Sequence, residues 1–157
     1  MTHLYLTLKL VHILGSAVLF GTGLGIAFFM FMAHRSGDPA AIAHTARTVV
    51  IADAVFTATA VVLQPLTGWA LAVMSGVSTF HWWIKATLVL YVFVGLCWLP
   101  VVWIQLKLRD LAAAAARDGA ALPARYHTYF KVWFWLGWPA FTGVLVIFVL
   151  MVWKPHW

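Results

Sequence analysis

The sequence is short of charge. Only 9% of its 157 residues are Asp, Glu, Lys or Arg, and 64% are hydrophobic. A soluble domain carries about 25% charged residues. This excludes an ordinary water-soluble globule and points to an integral membrane protein with one domain, residues 1–157. Cysteine is nearly absent too. The single Cys97 lies in an apolar run, so there is no disulfide framework and no multi-cysteine metal site within one chain. A cleavable signal peptide is not expected. The first apolar segment is too long for an h-region, and no positive n-region precedes it. There is no repeat, and low complexity is confined to the Ala-rich Leu111–Arg117.

What is present is apolar length. Crossing about 30 Å of hydrocarbon takes roughly 20 residues. Four segments suffice, near Leu4–Met32, Thr48–Met74, Trp82–Leu106 and Phe130–Trp153. A backbone in lipid must satisfy its own polar groups, so these spans are helices. With short connections they pack most simply as an all-α, antiparallel four-transmembrane-helix bundle. The ten Trp and four Tyr suit the aromatic belts at the two membrane interfaces. Trp133, Trp135 and Trp138 read as belt and packing residues.

The connections are expected to be a polar loop, His34–Arg47, with an S-G-D-P turn at Ser36–Pro39, then a small turn, Ser75–Thr79, then a basic stretch, Lys107–Lys131. Leu111–Arg117 continues the third helix until Asp118-Gly119 and Pro123 break it. The first and third connections, with their helix ends, hold Arg35, Arg47, Lys107, Arg109, Arg117, Arg125 and Lys131; the other side holds Lys9, Lys85 and Lys154. The positive-inside rule then places the basic side in the cytoplasm and both termini outside, in a bacterial-type inner membrane. The net charge of +6 is thus an orientation signal with a weak pull toward anionic lipid. No nucleic-acid partner is expected.

Titratable and polar residues inside the spans carry the functional signal, because a charge at a helix centre costs roughly 2.5–3.5 kcal/mol on insertion scales. At helical spacing, His12, Gly15, Ser16, Leu19 and Gly23 share a face of the first helix. Asp53, Thr57, Gln64, Thr67 and Leu71 share one on the second, and His81, Lys85, Leu88, Val92 and Gly95 on the third. At about 1.5 Å per residue, His12, Lys85 and Gln64 all fall in the outer half of the bilayer. Asp53 falls nearer the cytoplasmic end.

Each residue has a structural and a functional reading. Lys85, like Lys9, can snorkel its ammonium to the headgroups. His12 is either a core histidine bonded to Ser16 or a neighbouring carbonyl, or a ligand with glycine-made room beside it. Asp53 is either the partner of a cytosolic-end Arg or Lys, or a proton-relay carboxylate. Gln64-Pro65 marks a kink at which Gln64 and Thr67 re-satisfy freed backbone groups. Gly21 and Gly25 form a G-x-x-x-G, whose plain role is close helix packing. His3, His34, His44, His127 and His156 are expected to be solvated, with His3 and His81 placed to touch a cofactor's edge.

A lone imidazole in an apolar bundle is suited to haem iron. The site would comprise His12 as metal ligand, Gly15, Ser16 and Gly23 as room for the macrocycle, and Gln64 and Thr67 as lining. Lys85 would serve either as a second ligand in its amine form or as an ammonium partner for a propionate.

The run Leu8-Lys9-Leu10-Val11-His12-Ile13-Leu14 resembles the opening L-K-x-x-H-I of the small membrane protoporphyrinogen oxidases of the HemJ type. Trp82-Trp83-Ile84-Lys85-Ala86 resembles their W-x-x-K segment. That resemblance implies haem ligation by His12 and an important role, a second ligand included, for Lys85. Gln64-Pro65-Leu66-Thr67-Gly68 departs from that family. It looks more like a sister group of predicted bacterial integral membrane proteins with no assigned function. A looser similarity is to the membrane domain of copper-resistance proteins, but five Met and one Cys make a poor copper path.

The expected function is a haem b-binding redox protein. It would transfer electrons with a quinone or oxidise a tetrapyrrole, with Lys85 as candidate catalytic residue. It would act as a homo-oligomer or with a membrane redox partner. The alternatives are a structural or assembly subunit packing through its glycine face, and a small proton-coupled transporter using Asp53 and Lys85.

Overall fold

The structure, a computed structural model, describes residues 2–79 and 81–155. It is all-helical, with no strand among the described residues. Helix α1 spans Thr2–Ser36, α2 Pro39–Ala52, α3 Ala58–Met74, α4 Trp82–Asp118 and α5 Ala124–Trp153. A single π-helical turn, Asp53–Thr57, joins α2 to α3, so Pro39–Met74 is one continuous rod. Each of the four rods is long and apolar enough to cross a membrane.

Local chemistry sets the breaks. The polar loop expected over His34–Arg47 shrinks to Gly37 and Asp38. Asp38 caps α2 by accepting from the Ala40 and Ala41 amides at 3.0 and 3.3 Å. Pro39 follows at the first helical position, where its missing N–H costs nothing. Gly37 supplies the left-handed φ of 68° that the reversal needs. Helix α4 runs past the apolar segment through the Ala-rich stretch and stops at Gly119, also left-handed, as that stretch's composition leads one to expect.

The pairings between rods run in opposite senses. His12 meets Thr67 and the His12 carbonyl meets Gln64. Asp53 meets Trp98 and Val61 meets Tyr91. Trp82 meets Pro155 and Trp103 meets Tyr129. Helix α4 packs on α5 and α2, while α1 packs on α2, the π turn and α3 and only lightly on α5. The α1–α5 contact includes Phe20 stacked on Phe141, centroids 5.2 Å apart. Close packing is concentrated at the basic end, where Met30, Ile42, Ala46, Leu108, Ala112 and Tyr126 are fully buried in one cluster. The exposed Leu, Val, Ile and Phe side chains along the rods are what lipid-facing helices require.

Proline shapes the middle of the bundle. Pro65 cannot donate to the carbonyl four residues back, which is that of Val61. The Tyr91 hydroxyl of α4 donates to that carbonyl instead. Tyr91→Phe is therefore expected to cost about 1 kcal/mol, because it strands a part-buried acceptor. In a Pro65→Ala background, where residue 65 regains its N–H, the same change should be nearly neutral. Unfolding titrations of the four proteins in detergent test this cycle, and additive costs would disprove the assignment.

Candidate functional site

Two glycines build the α1–α3 crossing. A Cβ on Gly15 would sit 2.5 Å from the Gln64 amide nitrogen, and one on Gly68 would sit 3.3 Å from His12 Cε1. Gln64 thus lies in a notch of α1, and His12 lies in a notch of α3. Gln64 Nε2 donates to the His12 carbonyl at 2.9 Å. This corrects one expectation from the sequence: the space at Gly15 holds the Gln64 side chain and is not a vacancy for a macrocycle.

The hydrogen bonds fix the His12 tautomer. Thr67 Oγ1 stands 2.7 Å from the Leu63 carbonyl. Two oxygens at that separation need the hydroxyl proton between them. Thr67 has only that proton, so it accepts from His12 Nδ1, 2.8 Å away. The neutral ring then carries its proton on Nδ1 and leaves the Nε2 lone pair open. No hydrogen bond reaches Nε2 among the described residues. This is the arrangement found around metal-binding imidazoles, in which a partner on one nitrogen orients the ring and frees the other.

Ser16, read as a neighbour of His12 on the same face, donates to its own helix at Ile13, 2.7 Å away. His81 caps the N-terminus of α4, and its carbonyl receives the Ile84 and Lys85 amides. Lys85 lies on an exposed stripe with Leu88 and Val92. The inward side of α4 carries Trp83 and Thr87, then half-buried Tyr91 and Trp98, then Gln105. That polar and aromatic series repeats at four- and seven-residue steps, a legible signal overshadowed by the lysine.

Further along the rod sits Asp53, only 4% exposed. The cationic partner expected for it is not there. Its Oδ1 accepts from Trp98 Nε1 at 3.2 Å, and the only ion pair among the described residues is Arg109–Asp110. The Gly21–Gly25 motif also departs from its expected packing role. Nothing lies within 4 Å of a Cβ on Gly21, and Gly25 meets only Phe29 of its own helix.

His3, His44 and His127 are exposed, but all three lie on helices. His156 falls outside the described residues. His34 is half-buried. Its ring stacks on Phe130 with centroids 3.6 Å apart, and its Nδ1 lies 3.4 Å from the Tyr126 hydroxyl. The partners come from α5, so spacing within α1 gave no hint of them.

Four apolar rods with polar crossings are the architecture of an integral membrane protein, and the sequence pattern of one family covers residues 6–155. The chain belongs to the family described as predicted integral membrane protein (DUF2269). In this DUF2269 chain the match takes in both the His12 and the Asp53 regions. Comparison with curated proteins and with solved structures finds no match.

Proposed function

We propose that this protein binds haem b in a bacterial inner membrane, with His12 as the residue that would hold its iron and the basic end in the cytoplasm. The supporting observation is the His12 tautomer, held at Nδ1 by Thr67 and open at Nε2. The donor chemistry fits the group: an oriented neutral imidazole is a standard ligand for haem iron. Bound haem would supply one-electron chemistry, suited to exchange with a quinone or to tetrapyrrole oxidation. Thr67 sets the ring's orientation and basicity, and Gln64 pins the backbone that carries it. Lys85, near the termini-bearing end of α4, is the residue that would hold a haem propionate.

The test is the visible spectrum of protein purified in mild detergent from haem-replete cells, oxidised and then reduced with dithionite. A Soret band with sharp reduced α and β bands is expected. Thr67→Val, which removes the acceptor at Nδ1, should weaken haem affinity about 10- to 100-fold. A colourless wild-type protein would overturn the proposal.

One observation favours a second reading. The small-residue face at Gly21 and Gly23 is uncovered, and membrane helices approach each other closely on such faces. An assembly subunit would use it against a partner helix. For that reading, leucine at position 21 would disrupt a membrane complex while leaving the isolated chain folded.

A further inference from the structure

Asp53 is the one carboxyl within the apolar length of the rods. The chain's acidic residues are Asp38, Asp53, Asp110 and Asp118, and it has no glutamate. Asp38 caps α2, Asp110 pairs with Arg109, and Asp118 ends α4. Only Asp53 is buried. Its Oδ2 has no hydrogen-bond partner among the described residues, and neither do Thr57 Oγ1 and Gln105 Oε1. The Thr57 side chain lies beside the carboxyl. Asp53 and Thr57 begin and end the π turn, and such irregularities recur at functional positions in helices.

Among the described residues no countercharge reaches this layer from any packed element. Helix α1 has no titratable residue between His12 and His34, and α2 has none between Arg47 and Asp53. Helix α3 has none. Helix α4 has only Tyr91 and Cys97 between Lys85 and Lys107, and α5 has none between Lys131 and Lys154. The Tyr91 hydroxyl is committed to the Val61 carbonyl. Arg47 is exposed and lies beyond a full turn of α2 from Asp53. A buried carboxylate without a cation is heavily penalised and is neutralised instead. A proton on Oδ2 does this within the chain. Thr57 Oγ1, a hydroxyl that can donate or accept, can bond Oδ2 in either protonation state, so the burial of Asp53 without a cation carries the argument.

We propose that Asp53 holds an exchangeable proton at Oδ2, making the Asp53–Thr57–Trp98 layer a proton-binding site inside the bundle. No bond other than O–H is made or broken. The inference rests on the burial and bonding of Asp53 and is independent of haem at His12.

The test is infrared spectroscopy of the full-length protein in lipid bilayers at pH 7 in sodium-containing buffer. A protonated-carboxyl C=O stretch is expected, moving to lower frequency in deuterium oxide and vanishing in Asp53→Asn. Trp98→Phe removes the donor to Oδ1, so it should keep the band and move it to higher frequency. That second variant decides the assignment if Asp53→Asn fails to fold. No band at pH 7, a band insensitive to deuterium, or one unmoved in Trp98→Phe would overturn the proposal. A band that appears only when an organic cation replaces sodium would also overturn it, and would assign the site to a metal cation.

Discussion

Haem is expected to be lost completely from His12→Ala protein while the crossing of α1 and α3 survives. The two functions of residue 12 use different atoms. Gln64 grips the backbone carbonyl of His12, which alanine retains. The ring fills the notch at Gly68 and, on the proposed function, would hold the iron through Nε2; alanine removes it. The loss should cost about 0.5–1.5 kcal/mol for the hydrogen bond to Thr67, a small effect beside the complete loss of colour. His12→Gln sharpens the test, because an amide N–H can still donate to Thr67 but offers no imidazole to iron. Both variants should elute as folded protein without a Soret band. A retained Soret band with unchanged reduced bands in either variant would remove His12 as the ligand.

Much of this architecture is legible from hydrophobic length. The four rods, the short turn after Met74 and the stop at Gly119 follow from apolar runs and from glycine and proline placement. The first connection is shorter than its polar composition suggests, because Asp38-Pro39 is an efficient helix start and α2 begins at once. On α3 the polar stripe points inward as spacing suggests, on α1 it does so at His12 and Gly15 but not at Gly23, and His12, Gln64 and Thr67 do meet. On α4 the stripe through Lys85 faces outward with Leu88 and Val92. In a membrane the inward side is marked by polar groups needing partners, here Thr87, Tyr91, Trp98 and Gln105, more than by the strongest charge. The tautomer of His12 needed one further fact, the 2.7 Å approach of Thr67 to Leu63. The shelter of His34 needed contact with α5 across 92 residues of sequence. Periodicity within one helix carries neither.

The largest loss of stability is expected at the opposite end of the bundle from His12. Tyr126 is fully buried beside the His34–Phe130 stack, with Phe130 in turn 5.6 Å from Trp133. Its ring fills the space among α1, α4 and α5, where Met30 and Leu108 are also fully buried. Tyr126→Ala should cost about 3–5 kcal/mol, the range for deleting a buried aromatic side chain when its surroundings cannot collapse. Tyr126→Phe keeps the ring and loses only a long contact with His34, so it should cost no more than about 1 kcal/mol. Denaturant or thermal unfolding in detergent separates the two. The contrast follows from how the chain distributes its packing. Apolar contact between helices gains little in lipid, where neighbouring tails are equally apolar, so close-fitting side chains must hold the rods together. These are concentrated at the basic end, leaving hydrogen bonds at His12, Gln64, Tyr91 and Trp98 to register the rest. If Tyr126→Ala proved as mild as Tyr126→Phe, that division of labour would be wrong and the polar contacts would have to carry the stability of the bundle as well.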